Sequence, residues 1–199
     1  MRSIKRILWG VVVVTAVVTT VAGCAQEAQD RGVPVIDVLG TRAFEYDSID
    51  QLAQKASAIV VVRPTGNGHE VPFPADQGGT DNSAPTSFQT LEVVRVLSGS
   101  VDGKTIDVVS PGLDDRTGKS AIAAGGPFIL FIAPAMYGPD QPVGGFAIVG
   151  GPAGMYAQSG GRYLRVDEES PRLPDSLDPA TTTWPAITKT AAQLLHEGP

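Results

Sequence analysis

Residues 58–62 read Ala-Ile-Val-Val-Val, and no other stretch restricts the fold more tightly. β-Branched side chains are stiff and favour extended backbone, and five residues are too few for an independent helix. Successive side chains in a strand point to opposite faces, so an unbroken apolar run needs cover on both. Ala58–Val62 therefore reads as a central, fully buried strand. Phe128–Ala133 (Phe-Ile-Leu-Phe-Ile-Ala) reads as another.

The 23 glycines and 16 prolines fall in turn-like clusters without a repeat, which suits many short strands joined by tight turns. A first strand is expected near Val35–Leu39. Within residues 46–57, Ser48 and Gln51 have the spacing of a capping box, and Ile49, Leu52, Ala53 and Ala56 share one helical face. Residues 64–86 hold many breakers and no periodicity, and predict a mobile surface loop. Ser87–Leu97 predicts a long strand, with a bulge where the apolar alternation changes phase at Glu92–Val93. Thr105–Ser110 pairs back on it, and residues 111–127 form a second loop. After Phe128–Ala133, the stretches FAIVG, GMYAQ and RYLRV predict short strands, the last two joined by a turn at Ser159-Gly160-Gly161. A final amphipathic helix would present Ile187, Ala191, Leu194 and Leu195, with Pro185 in its first turn.

These elements predict a mainly β (β-rich α+β) fold. The form is a small OB-like barrel or a strongly curved antiparallel sheet, with one helix before it and one C-terminal helix. Closing the sheet hides strand edges. The order from AIVVV through the FQTLEVVRVLSG…GKTIDVV hairpin to GGPFILFIA resembles that of OB-type barrels, including the netrin-like inhibitor domains. The resemblance implies a fold and carries no function.

The N-terminus has Arg2, Lys5 and Arg6, then an apolar run of 17 residues broken only by threonines and glycines, the layout of a secretory signal. That run ends in Val21-Ala22-Gly23-Cys24, which resembles the lipobox of bacterial lipoproteins: an aliphatic residue, two small residues, then cysteine. Small residues before the cysteine let a diacylglyceryl group reach the sulfur and let the signal peptidase fit the backbone. The resemblance implies thioether lipidation of Cys24, cleavage after Gly23 and acylation of the new amino group. The chain then divides into a signal peptide at 1–23, a lipidated tether at 24–33 and a single β-rich domain at 34–199. It would be anchored in the cell membrane and face outside the cytoplasm.

The mature 176 residues hold 12 basic and 21 acidic side chains, a formal balance of −9. That sign opposes nucleic acid as a partner, whose phosphates require clustered Lys and Arg. Cys24 is the single cysteine, so the chain forms no internal disulfide and must be stabilised by packing.

Chemistry-bearing motifs are sparse. Of two histidines, His69 falls in the predicted loop and His196 stands three residues from the C-terminus, neither in a setting for a catalytic base. Asp114-Asp115 and Glu168-Glu169 read as solvated loop acids, and residues 117–120 (Thr-Gly-Lys-Ser) imitate the end of a phosphate loop but lack its first glycine. No catalytic residue, metal ligand or cofactor is assigned. Two similar contexts, Pro134-Ala135-Met136-Tyr137 and Pro152-Ala153-Gly154-Met155-Tyr156, place tyrosines beside strands. On one rim, Tyr137 and Tyr156 would offer flat amphipathic surface to a ligand. The favoured function is a non-catalytic surface lipoprotein binding an envelope protein or glycan. The alternative is a hydrolase of envelope polymers using carboxylates.

Overall fold

The computed structural model describes residues 32–36, 45–74, 84–123, 125–138 and 141–197. The leader, Cys24 and most of the tether lie outside them, as does the greater part of the expected 35–39 strand. Helix α1 spans Ile49–Lys55 and is followed by β1 (Ala58–Val71), β2 (Thr86–Gly99) and β3 (Thr105–Val109). A small hairpin of β4 (Leu113–Asp114) and β5 (Lys119–Ser120) comes next, then β6 (Phe128–Gly138) and β7 (Gln141–Ile148). The chain closes with β8 (Met155–Ser159), β9 (Arg162–Arg165), β10 (Ser176–Leu177) and helix α2 (Ala191–Glu197). The fold is mainly β, with a large curved sheet, one helix early and a short one late, as the sequence predicts.

The large sheet runs β1-β2-β3-β7-β6-β8-β9-β10, and β1 also pairs with β6. Strands β1, β2, β3, β7 and β6 therefore form a closed circuit of hydrogen-bonded neighbours. Every link is antiparallel except β3 to β7, which is parallel at Val108 and Phe146.

Strands β1 and β6 meet the demand stated above. Ala58, Val60, Val62, Phe128, Leu130 and Ile132 belong to one buried cluster. Their neighbours Ile59, Val61, Ile129 and Phe131 belong to a second, with Leu52 and Ala53 of α1, Tyr156 and Leu177. All of these are buried, so the two central strands separate two cores. Helix α1 starts where predicted, because Ser48 Oγ accepts from the Gln51 N–H and Gln51 Oε1 accepts from the Asp47 N–H. The phase change on β2 is a bulge: Val61 and Val62 pair with Arg95 and Val93, which leaves Val94 out of register and 49% exposed.

Three expectations need correction. Residues 64–71 are not loop. They continue β1, and Gly68–Val71 pair with Thr86–Gln89, so the connection spans only 72–85. Cross-strand hydrogen bonding overrides the local breaking tendency of Pro64, Gly66 and Gly68. The last helix begins at Ala191 rather than near Pro185. Thr190 Oγ1 accepts from the Gln193 N–H and Gln193 Oε1 accepts from the Thr190 N–H, a capping box that sets the start. Residues 185–187 instead lie against β2, where Ser98 Oγ donates to the Pro185 carbonyl and accepts from the Ile187 N–H. Finally, Val33 belongs to the domain rather than the tether, since it is buried in the first core.

The β4–β5 hairpin fastens this N-terminal segment. Asp114, read as a solvated acid, is 7% exposed. Its Oδ1 accepts from the Val35 N–H at 3.1 Å and from Arg116 Nε at 3.3 Å, and its Oδ2 accepts from Thr117 Oγ1 at 3.1 Å. The Arg116 guanidinium also donates to the Val33 carbonyl. Thr117 is thus a turn residue, and the Thr-Gly-Lys-Ser stretch closes a hairpin rather than opening a helix. Burial pushes the Asp114 carboxyl up, but the hydrogen bonds from Val35, Thr117 and Arg116 together outweigh it and hold the group below the ordinary 3.8.

Asp114→Asn is therefore expected to lower stability at pH 7 by about 1–3 kcal/mol, measured by urea unfolding. A depressed carboxyl stabilises the fold above its unfolded value, and that stability is lost as pH falls through the folded one. The gap between the two proteins should accordingly narrow below about pH 5. A gap that holds constant from pH 7 to pH 3 would show that the ionised carboxylate contributes nothing.

Candidate functional site

The tyrosines singled out from the sequence lie far apart. Tyr156 opposes Ile129 near the start of β6, whereas Tyr137 is eight residues further along that strand. At the rise of an extended chain that is roughly 25 Å of strand. Tyr156 is 0% exposed, packed among residues of the second core, and burial pushes its phenol well above the ordinary tyrosine value. Its hydroxyl is the buried side-chain polar atom left without a hydrogen-bond partner among the described residues. No shared rim forms, and Tyr156 offers a ligand no surface. The two contexts look alike in sequence, but the second forms a 3-10 turn, Gly151–Gly154, that drops Tyr156 inward.

Tyr137 is half-buried near the end of β6, where the β6–β7 hairpin meets the far end of the β1–β2 hairpin. Its ring packs against Phe73 with centroids 4.8 Å apart and planes tilted 58°. The Tyr137 hydroxyl accepts from Thr86 Oγ1 at 3.2 Å and donates to the Pro72 carbonyl at 3.4 Å. Both bonds exceed the usual O–H···O length of about 2.7–2.8 Å, so a ligand group can replace either at small cost.

A second aromatic contact adjoins the first. His69 and Phe88 are register partners on β1 and β2, and so are Val71 and Thr86, which puts these four side chains on one face. The His69 ring lies parallel to Phe88, 5.2 Å away at 6°. Beside Phe88 stands Gly145 of β7, at φ +64°, where an added Cβ would come within 2.6 Å of the Asp107 carbonyl oxygen and 3.1 Å of the Phe88 ring. Glycine at 145 lets the Phe88 ring lie close over the sheet. Phe73 and Tyr137 thus stand at one end of a face continued by His69 on Phe88, with Thr86 between.

Sequence reading missed His69 and Phe73 because it assigned 64–86 to loop, and it left Phe88, placed on the strand Ser87–Leu97, without its partner His69. The alternation His69, Val71, Phe73 was the available signal, masked by Gly66, Gly68 and Pro72. Aromatic planes beside replaceable hydroxyl hydrogen bonds suit recognition of a flat apolar or sugar-like surface. They hold no nucleophile and base in contact.

Asp167 Oδ1 accepts from the Glu169 N–H and shapes its own turn. A cleft of about 240 Å³ lies between Tyr46, Asp47, Ser170 and Arg172, and the Asp47–Arg172 ion pair at 3.0 Å spans it. It is smaller than the roughly 300–1,000 Å³ of small-molecule sites. Among the described residues no three His, Cys, Asp or Glu side chains are grouped to hold a metal ion. Cys24 lies outside the described residues. No family model matches the chain, and comparison with curated proteins and with solved structures finds no significant similarity.

Proposed function

We propose that the protein is a bacterial surface lipoprotein, anchored in the cell membrane through acyl chains on Cys24 and facing outside the cytoplasm. Its body is a non-catalytic binding domain for an envelope protein or glycan. The observation that carries the anchor is the tetrad Val21-Ala22-Gly23-Cys24 closing a basic and apolar leader. The closed circuit β1-β2-β3-β7-β6 supports reading the central strands as an OB-type barrel. The ligand surface is formed by Phe73, Tyr137 and His69, with the buried Phe88 ring supporting His69 from beneath. A mature balance of −9 directs it away from nucleic acid.

The binding half of this reading is tested with the mature chain and envelope extracts fractionated into proteins and glycans. Tyr137→Ala is expected to cost about 2 kcal/mol, roughly a thirtyfold loss of affinity for the captured component. Tyr156→Phe is the control: it removes only a buried hydroxyl and should leave binding unchanged. Equal capture by wild type and a folded Tyr137→Ala variant would refute the site.

A further inference from the structure

Alternation along β2 sorts its side chains. Leu91 belongs to the first core and Val93 packs against it, so Phe88, Thr90 and Glu92 point the opposite way. Register carries that outer face to both neighbours. His69 and Arg63 of β1 stand opposite Phe88 and Glu92. Val109, Asp107 and Thr105 of β3 stand opposite Phe88, Thr90 and Glu92. The second core covers this face of β1 at Ile59 and Val61. At Arg63 the cover ends, and the side chains of Arg63 and Glu92 are 56% and 53% exposed. Thr90 and Asp107 are partly exposed. A polar strip therefore continues the aromatic surface along β2, from Thr86 beside Tyr137 to Glu92. Six residues of strand span roughly 20 Å, which is too long for one sugar and suits a short chain of them.

The chemistry of the strip selects among ligands. Asp107 Oδ1 accepts from Thr90 Oγ1 at 2.6 Å, and the Arg63–Glu92 pair is loose, at 3.6 Å. Exposed ion pairs contribute little to stability, so Arg63 and Glu92 can turn to a ligand at small cost. Carboxylates only accept and a guanidinium only donates, whereas sugar hydroxyls do both. The core of a protein interface is depleted of Asp and Glu. Here two carboxylates hold the middle and the far end of the surface. The charges of Arg63, Asp107 and Glu92 sum to −1, which opposes an anionic chain. Gly145 of β7 lies against Asp107 and Phe88 and brings no side chain over them.

We infer that the ligand of the aromatic surface is an uncharged linear oligosaccharide lying along β2. One sugar ring packs on Phe73 and Tyr137, and hydroxyls of the following rings reach Asp107, Arg63 and Glu92. This rests on the binding reading above and names its ligand class.

The test titrates the full mature chain, in detergent micelles, with β-linked tetramers of glucose and of N-acetylglucosamine and with the single sugars. Calorimetry reads the affinity. The expected result is that at least one tetramer binds roughly tenfold or more tightly than its monosaccharide. Asp107→Asn and Glu92→Gln keep the side-chain shape and should each weaken that tetramer about tenfold, the scale of one hydrogen bond to a charged group. Glu92 is exposed, so its variant tests the strip even if Asp107→Asn unfolds. A tetramer that Tyr137→Ala weakens but both strip variants leave within about twofold overturns the strip and leaves the aromatic site. So does a tetramer that binds no more tightly than its monosaccharide. If neither tetramer binds while an envelope protein is still captured through Tyr137, the glycan is overturned and the binding domain stands. If neither binds and capture is indifferent to Tyr137→Ala, both fall together.

Discussion

Replacing Cys24 with alanine is expected to abolish acylation and leave the full precursor, with its leader uncleaved. In the proposed reading the sulfur accepts the diacylglyceryl group, and in the lipoprotein pathway cleavage follows that transfer. The loss should be complete rather than partial, because the chain holds no second cysteine. Labelling with radioactive palmitate in a bacterial host reads the modification, and the mobility of the product reads the cleavage. Label in the alanine variant equal to wild type would end the lipoprotein reading. Two or three acyl chains hold a protein stably where one holds it only marginally; in the variant the uncleaved apolar leader would be the remaining membrane contact.

The second large effect concerns the two cores. Leu130 and Phe131 are consecutive on β6, both 0% exposed, and point into different clusters. In a sheet with one wet face, truncating one of two neighbours would be nearly harmless. Here both should be costly: about 2–5 kcal/mol for Leu130→Ala and about 3–5 kcal/mol for Phe131→Ala. Against a typical stability of about 5–15 kcal/mol, either change removes a large share, and the double variant should be largely unfolded at 25 °C. Denaturant unfolding of the mature chain measures both. A cost below about 1 kcal/mol at either position would mean that its side of the sheet is not packed.

Several elements were legible in the sequence because local chemistry decides them. Ala58–Val62 and Phe128–Ile132 had to be buried strands, since apolar side chains on both faces leave no wet side. Ser48 and Gln51 marked the start of α1, as a capping box needs only four residues of chain. Gly160-Gly161 marked a hairpin, both residues taking the positive φ that other side chains resist. Tyr137 and Tyr156 were also legible as residues, but their settings were not. Whether a strand-edge tyrosine turns inward depends on the 3-10 turn before it and on what covers the sheet, and neither is local.

Pairing partners that are distant in the chain decided the remainder. Residues 64–71 look like loop until β2 supplies hydrogen-bond partners some twenty residues away, and only then do His69 and Phe88 come together on one face. Asp114 looks solvated until Val35, 79 residues earlier, brings its N–H to the carboxylate. The sequence by itself determined the strand-rich class, the doubly buried central strands and the motif at Cys24. The tertiary structure alone decided the circuit of strands, the aromatic face and the clip on the N-terminal segment. The physical reason is that backbone hydrogen bonds and buried contacts between remote segments outweigh the propensity of any single residue, by amounts that no local window contains.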